Sequence, residues 1–244
     1  MKAIATCLAL AALAAVTAAA PLDHLHSARQ LVLVVTPGWD DVRGELRRFE
    51  RRGTGGVWRA VGAPTSIVVG KNGSAWDPLV DPVVPGPMKS EGDGRSPAGI
   101  FTLGTAFGFA PAAEASWLKL PYLHVTEGIE CVDDVASSSY NQIVNRRSIA
   151  APDWKSSEKM REVGEAYRWG VVINYNASPA VAKRGSCIFL HIGGENGKGT
   201  AGCTATSPAE LRAVMEWLDP KANPAFVQLP RAAYEKLKES WKLP

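Results

Sequence analysis

Apolar residues along this chain come mostly in short runs closed by Gly, Pro, Asn or Asp, a spacing that predicts many strands and few helices. Leu31-Val32-Leu33-Val34-Val35 predicts a strand. Val57 to Val61 and Thr65 to Val69 predict two more around Gly62-Ala63-Pro64, with Asn72-Gly73 as a turn signal just after them. Gly99 to Phe109, Leu120 to Thr126, Val171 to Tyr175, Cys187 to Ile192 and Phe226 to Leu229 complete the predicted strands. Between Asp40 and Arg52 the apolar residues Val42, Leu46 and Phe49 fall at helical spacing, which predicts a short charged helix or helix-like turn. A second helix is expected over Pro208 to Leu218, because Ser207 can cap it, Pro208 suits its first position and Glu210 its third. Arg231 to Trp241 predicts a C-terminal helix. The expected fold is mainly β: an antiparallel β-sandwich with a few peripheral helices.

Two stretches resist this reading. Trp76 to Met88 carries four prolines and predicts an ordered, irregular connection. Arg146 to Gly170 sets Trp154, Tyr167 and Trp169 among charges. It can form a lid or pack between strands, and packing is favoured because aromatic residues usually mark buried area. Glu130 to Asp134 and Ser139-Tyr140-Asn141 are polar enough to line a cleft, with no role assigned.

Composition narrows the function classes. A net charge of +3, from 27 basic and 24 acidic residues, lacks the clustered excess of a nucleic-acid binder. With 46% hydrophobic residues, 244 positions suffice for one full core. Met1 to Ala20 has one lysine, an apolar stretch and a small-residue end, the layout of a secretory signal peptide; a retained N-terminal anchor helix is the alternative. Export leaves Cys131, Cys187 and Cys203 in an oxidising compartment, where an odd number permits one disulfide and one free thiol. With Cys203 as a nucleophile, Cys131 and Cys187 are the natural pair; the alternative is two small buried apolar residues.

The candidate chemistry is concentrated between Ser186 and Glu210. Period two along the predicted strand puts Cys187, Phe189 and His191 on one face. Five of the ten residues from Gly193 to Gly202 are glycine, so the loop can turn sharply before Cys203. A thiol attacks as thiolate, and His191 is placed to take its proton if that loop folds back, helped by the positive end of the helix that starts just beyond. Backbone N–H groups around Gly202 and Cys203, with the Thr200 hydroxyl, can hold an oxyanion. His124 is the rival base, without a surrounding motif. His24 and His26 invite a metal reading, but no ligand set with the right spacing accompanies them.

Strand, His191, Gly-rich loop and Thr200-Ala201-Gly202-Cys203 together resemble the signature of the L,D-transpeptidase catalytic (YkuD-like) family. Ser96-Pro97-Ala98-Gly99-Ile100-Phe101 resembles the family's upstream segment, in the right order. The chain departs from the family pattern in several places. Thr200 and Ala201 stand where most members have Ser-His. Ile192, rather than Gly or Ser, follows the histidine and would orient it by its carbonyl. Ala205 replaces the usual Arg or Asn, and the loop is shorter.

The expected organisation is a signal peptide over 1–20, an N-terminal strand and helix extension over 28–62, the catalytic domain that the resemblance implies over 63–229, and a C-terminal helix over 230–244. The resemblance implies a Cys203 thioester with peptidoglycan stem peptides, acylation of the same thiol by carbapenem β-lactams, and no cofactor or metal. Lys89, Glu91, Asp93 and Arg95 are expected in the substrate groove. The expected location is the periplasm or cell envelope, with no nucleic-acid partner and no stable membrane anchor. A hydrolase of the same substrates, L,D-carboxypeptidase or endopeptidase, and a non-catalytic wall-binding module are the alternatives.

Overall fold

The computed structural model describes residues 21–80, 82–177, 179–194 and 196–244. The expected signal peptide lies outside the described residues. Thirteen strands are defined among the described residues: β1 Gln30–Thr36, β2 Arg43–Glu50, β3 Arg59–Val68, β4 Ser74–Trp76, β5 Ser96–Gly108, β6 Tyr122–His124 and β7 Ile129–Val132 come first. β8 Ile143–Asn145, β9 Ser157–Lys159, β10 Trp169–Ile173, β11 Phe189–Ile192, β12 Thr204–Thr206 and β13 Ala225–Pro230 follow. The α-helices are α1 Pro21–Ser27, α2 Pro208–Trp217 and α3 Arg231–Leu237.

The large sheet runs β10-β11-β12-β3-β2-β1-β13-β5, and a further β10–β5 pairing closes it on itself, with β4 and β6 attached to β5. Antiparallel pairs dominate, but β1–β13 and β11–β12 are parallel. The mainly β architecture is thus a sheet curled until its ends meet, which leaves no open edge along the ring. β8, β7 and β9 form a separate three-stranded sheet.

Alternation along β1 shows how the layers are divided. Val32 and Val34 join a core with Phe101, Ile173, Leu190 and the α2 residues Leu211, Val214 and Met215. Leu31, Leu33 and Val35 join a second core under α1 and α3, with Trp76, Val227 and Leu237. A run apolar at every position is what a strand buried on both faces requires.

Residues 43–50 correct the helical expectation. They form β2, hydrogen-bonded to β1 on one side and β3 on the other. Leu46 belongs to the first core and Phe49 to the second. A spacing of three puts two residues on one face of a helix but on opposite faces of a strand, and here each face has its own core to fill.

At the other end of the chain, the cap expected at Ser207 is present: its hydroxyl accepts from the Glu210 N–H, and Pro208 opens α2. This fixes the direction in which β12 leaves the Gly-rich loop.

Candidate active site

A third cluster lies where the small sheet meets β11: Phe107, Ile129, Cys131, Met160, Tyr167, Cys187, Phe189 and Cys203. Cys131 and Cys187 are joined by a disulfide with Cα atoms 5.9 Å apart. Cys203 is free and buried. The bridge ties β7 to the residue that opens the approach to β11, and Asn141 reinforces it. The Asn141 side-chain oxygen accepts the Cys187 N–H at 2.9 Å, while its amide donates to the carbonyls of Tyr175 and Asn176. Cys187 is held at φ 55°, a left-handed conformation costly for a residue with a Cβ.

That conformation brings the Cys187 carbonyl to Cys203. The Cys203 thiol donates to Cys187 O at 3.4 Å, and its sulfur accepts the Phe189 N–H at 3.3 Å. β11 and β12 run parallel with Leu190 opposite Thr204 and His191 opposite Ala205, so Cys203 enters beside Phe189, two residues short of the histidine. His191 is buried, and its Nδ1 lies 2.8 Å from Ile192 O. A carbonyl only accepts, so Nδ1 carries the proton and a neutral ring leaves Nε2 as the basic nitrogen. Burial lowers the His191 pKa from its ordinary value, only partly offset by that carbonyl, and the ring is neutral at pH 7. His124 lies on β6, half-buried and outside this cluster.

Two hydroxyls hold the backbone of Cys203. Ser96, the first residue of β5, donates to Cys203 O at 2.9 Å and accepts the Gly70 N–H at 2.9 Å. Thr200 donates to the same carbonyl at 2.6 Å and accepts the Gly202 N–H at 3.1 Å. A hydroxyl has one proton, so in this arrangement Thr200 has none for an oxyanion or an imidazole, and the role expected from sequence gives way to building the turn. The Gly202 N–H is engaged in the same way. The loop end is docked by Thr200 N–H to Val69 O and Lys71 N–H to Thr200 O. Gly199 permits that docking, since a Cβ there would sit 2.4 Å from Lys71 Cα.

Two further expectations change. Three residues of β12 separate Cys203 from the α2 cap, roughly 10 Å of strand, so the helix terminus is too far away to act on the thiol. The groove residues are engaged elsewhere. Lys89 is buried and paired with Asp93 at 2.6 Å, Glu91 accepts from Tyr140 and Ser186, and Arg95 pairs with Asp40 at 2.7 Å. Lys89 and Asp93 thus close a turn before β5, and Glu91 and Arg95 tie it to neighbouring segments.

Sequence reasoning missed Tyr167 and Glu158. Tyr167 packs edge-on against Phe107, Phe189 and His191, its ring 5.3 Å from the imidazole, and shares a cluster with Cys203, whose ionisation its hydroxyl favours. That hydroxyl donates to Glu158 Oε2 at 2.6 Å. Burial pushes the Cys203 thiol well above the ordinary cysteine range and the Glu158 carboxylate adds to it; the Phe189 N–H, Tyr167 and Lys89 oppose this without prevailing. No local motif marks either residue. The packing role preferred for the Trp154 to Trp169 aromatics holds for Tyr167, which also carries a polar contact.

A buried thiol and an imidazole thus stand two register positions apart on paired strands joined by a Gly-rich loop. The YkuD family model, described as the L,D-transpeptidase catalytic domain, matches residues 49–227. The chain belongs to the YkuD family. Neither curated proteins nor solved structures gave a match. The YkuD match takes in β5, β11 and β12, and so both segments whose hydroxyls, from Ser96 and Thr200, meet at Cys203 O. It ends within β13, whose Gln228 bonds Thr204 and Pro97 O and so links the same two segments from behind. Among the described residues no helix is long and apolar enough to cross a membrane.

Proposed function

We propose that this YkuD chain is a cysteine acyltransferase acting on peptidoglycan stem peptides through a thioester at Cys203. The observation that carries the reading is the free Cys203 held on two hydroxyls and a strand N–H beside a neutral, carbonyl-oriented His191, within a chain of L,D-transpeptidase family.

In this reading His191 Nε2 takes the thiol proton and the sulfur attacks a stem-peptide carbonyl carbon. The tetrahedral oxyanion falls to the Cys203 N–H, because the Gly202 N–H is taken. The C–N bond breaks as the leaving amine receives the proton from His191, and a thioester remains. An acceptor amine then attacks the thioester carbonyl, passes its proton to His191 and releases Cys203. Carbapenems would acylate the same sulfur by opening their ring. Export to the periplasm or cell envelope belongs to this proposal, since the substrate lies there.

Mass spectrometry of muropeptides incubated with the enzyme, with and without an acceptor amine, tests it. Cross-linked or amine-exchanged products that vanish in Cys203→Ala are expected. Trimmed peptides alone would replace the transferase by a hydrolase, and unchanged muropeptides would overturn both in favour of a wall-binding module.

A further inference from the structure

Cys203 has one hydrogen-bond donor on its sulfur, the Phe189 N–H, and Tyr167, packed edge-on against the Phe189 ring in the same buried cluster, carries a hydroxyl that could donate as well. A buried thiolate is stabilised by each N–H or O–H aimed at it. The Tyr167 proton, however, is directed the other way, 2.6 Å from Glu158 Oε2. Two acceptors therefore compete for one proton. Which one wins depends on the charge of Glu158: a carboxylate is much the stronger acceptor, whereas a neutral carboxyl can donate to the tyrosine oxygen and turn its proton toward the sulfur.

We infer that Glu158 is a positioning residue for Cys203, acting through Tyr167: its carboxylate diverts the tyrosine proton and holds the thiol neutral, and its neutralisation returns that proton to the sulfur. This rests on the reading of Cys203 as nucleophile. β9 places Glu158 in the small sheet, opposite Cys131 of the disulfide that anchors Cys187, so the competing carboxylate and the thiol's carbonyl partner hang from one framework. The charged groups facing Glu158 are Asp133 after β7 and Glu91 from the turn before β5, both acidic, with Tyr167 as its only donor among the described side chains. Lys89, paired with Asp93, favours ionisation of the sulfur. Desolvation first, then Asp133 and Glu91 against the Tyr167 bond, raise Glu158 to about 7, so the competition would change hands near neutrality. A substrate that covers or neutralises Glu158 would have the same effect as a proton.

The test is the alkylation rate of Cys203 by iodoacetamide from pH 5.5 to 9, located by peptide mass, in wild type, Glu158→Gln, Tyr167→Phe and the double variant. In wild type the rise with pH should flatten above about 7. Glu158→Gln should match wild type at pH 5.5 and exceed it by about tenfold at pH 8.5, the effect of one unit in thiol pKa. In the Tyr167→Phe background the same replacement should gain about threefold or less, because only the through-space charge effect remains. Parallel wild-type and Glu158→Gln profiles, a slower Glu158→Gln, absence of reaction in every variant, or an undiminished gain without the tyrosine hydroxyl would each overturn the inference. Thioester formation with a stem peptide is measured in parallel. A Glu158-dependent profile without thioester defeats the transferase reading alone, and thioester with parallel profiles defeats this inference alone.

Discussion

The hydroxyl of Ser96 donates a 2.9 Å hydrogen bond to the carbonyl oxygen of Cys203, so the upstream motif holds the proposed nucleophile by its backbone. Ser96 is fully buried and also accepts the Gly70 N–H. Ser96→Ala therefore strands a buried N–H and removes one of two donors from the Cys203 carbonyl. The expected cost is about 1–3 kcal/mol of stability, read from urea unfolding, together with slower Cys203 alkylation. Thr200→Val should act in the same direction and Thr200→Ser should remain near wild type, since the serine hydroxyl can make both bonds. An unchanged stability in Ser96→Ala would contradict this role.

How far the site was legible depended on how local its signals are. His191, the glycines and Cys203 lie within one strand-loop-strand unit, and the Ser207 cap sits four residues beyond, so the residue types alone pointed to them. Tyr167 and Glu158 reach the thiol only because the small sheet is tied to β11 by the Cys131–Cys187 bridge and Asn141. No periodicity in Arg146 to Gly170 encodes that. β2 was misread because Leu46 and Phe49 serve two cores at once, a pattern whose meaning appears only when both layers exist. The alternating charges of Lys89 to Arg95 predict a groove, but charges spaced along a glycine turn can equally build it and tie it down: Lys89 pairs with Asp93 inside the turn, Arg95 with Asp40, and Glu91 accepts from Tyr140 and Ser186.

Acid should weaken the fold through Glu130. Burial works against its ionisation, but bonds from Ser157 and Trp154 and the Arg146 charge outweigh this and hold it below the usual glutamate range. Their distances are 2.8 Å from Ser157, 2.9 Å from Trp154 and 3.4 Å from Arg146. A depressed folded pKa contributes stability that is present above the unfolded value of about 4.3 and lost as pH falls through the folded one. Glu158 has the opposite sign: raised to about 7, it disfavours the fold as pH rises from its unfolded value to 7. Melting curves should therefore show Glu130→Gln less stable than wild type at pH 7 and converging below pH 4. Glu158→Gln should gain stability at pH 8 and lose that advantage near pH 4.

The Cys131–Cys187 bridge closes a sequence separation of 56 residues. Its removal in a Cys131→Ser, Cys187→Ser double variant should lower stability by about 2–5 kcal/mol. It should also slow Cys203 alkylation, because the Cys187 carbonyl and the Phe189 N–H that flank the sulfur lose their anchor. A less stable protein whose thiol reacts at the wild-type rate would separate the bridge from the site.

The central claim is that Cys203 carries the acyl group, and intact mass followed by peptide mapping tests it most directly. The protein is mixed with a stem-peptide donor in the absence of any acceptor amine and quenched in acid at fixed times. The account predicts an added acyl mass that maps to Cys203, is released by hydroxylamine, is absent in Cys203→Ser and forms far more slowly in His191→Ala. An acyl mass on another residue, or none on wild type while the donor is consumed, would contradict it.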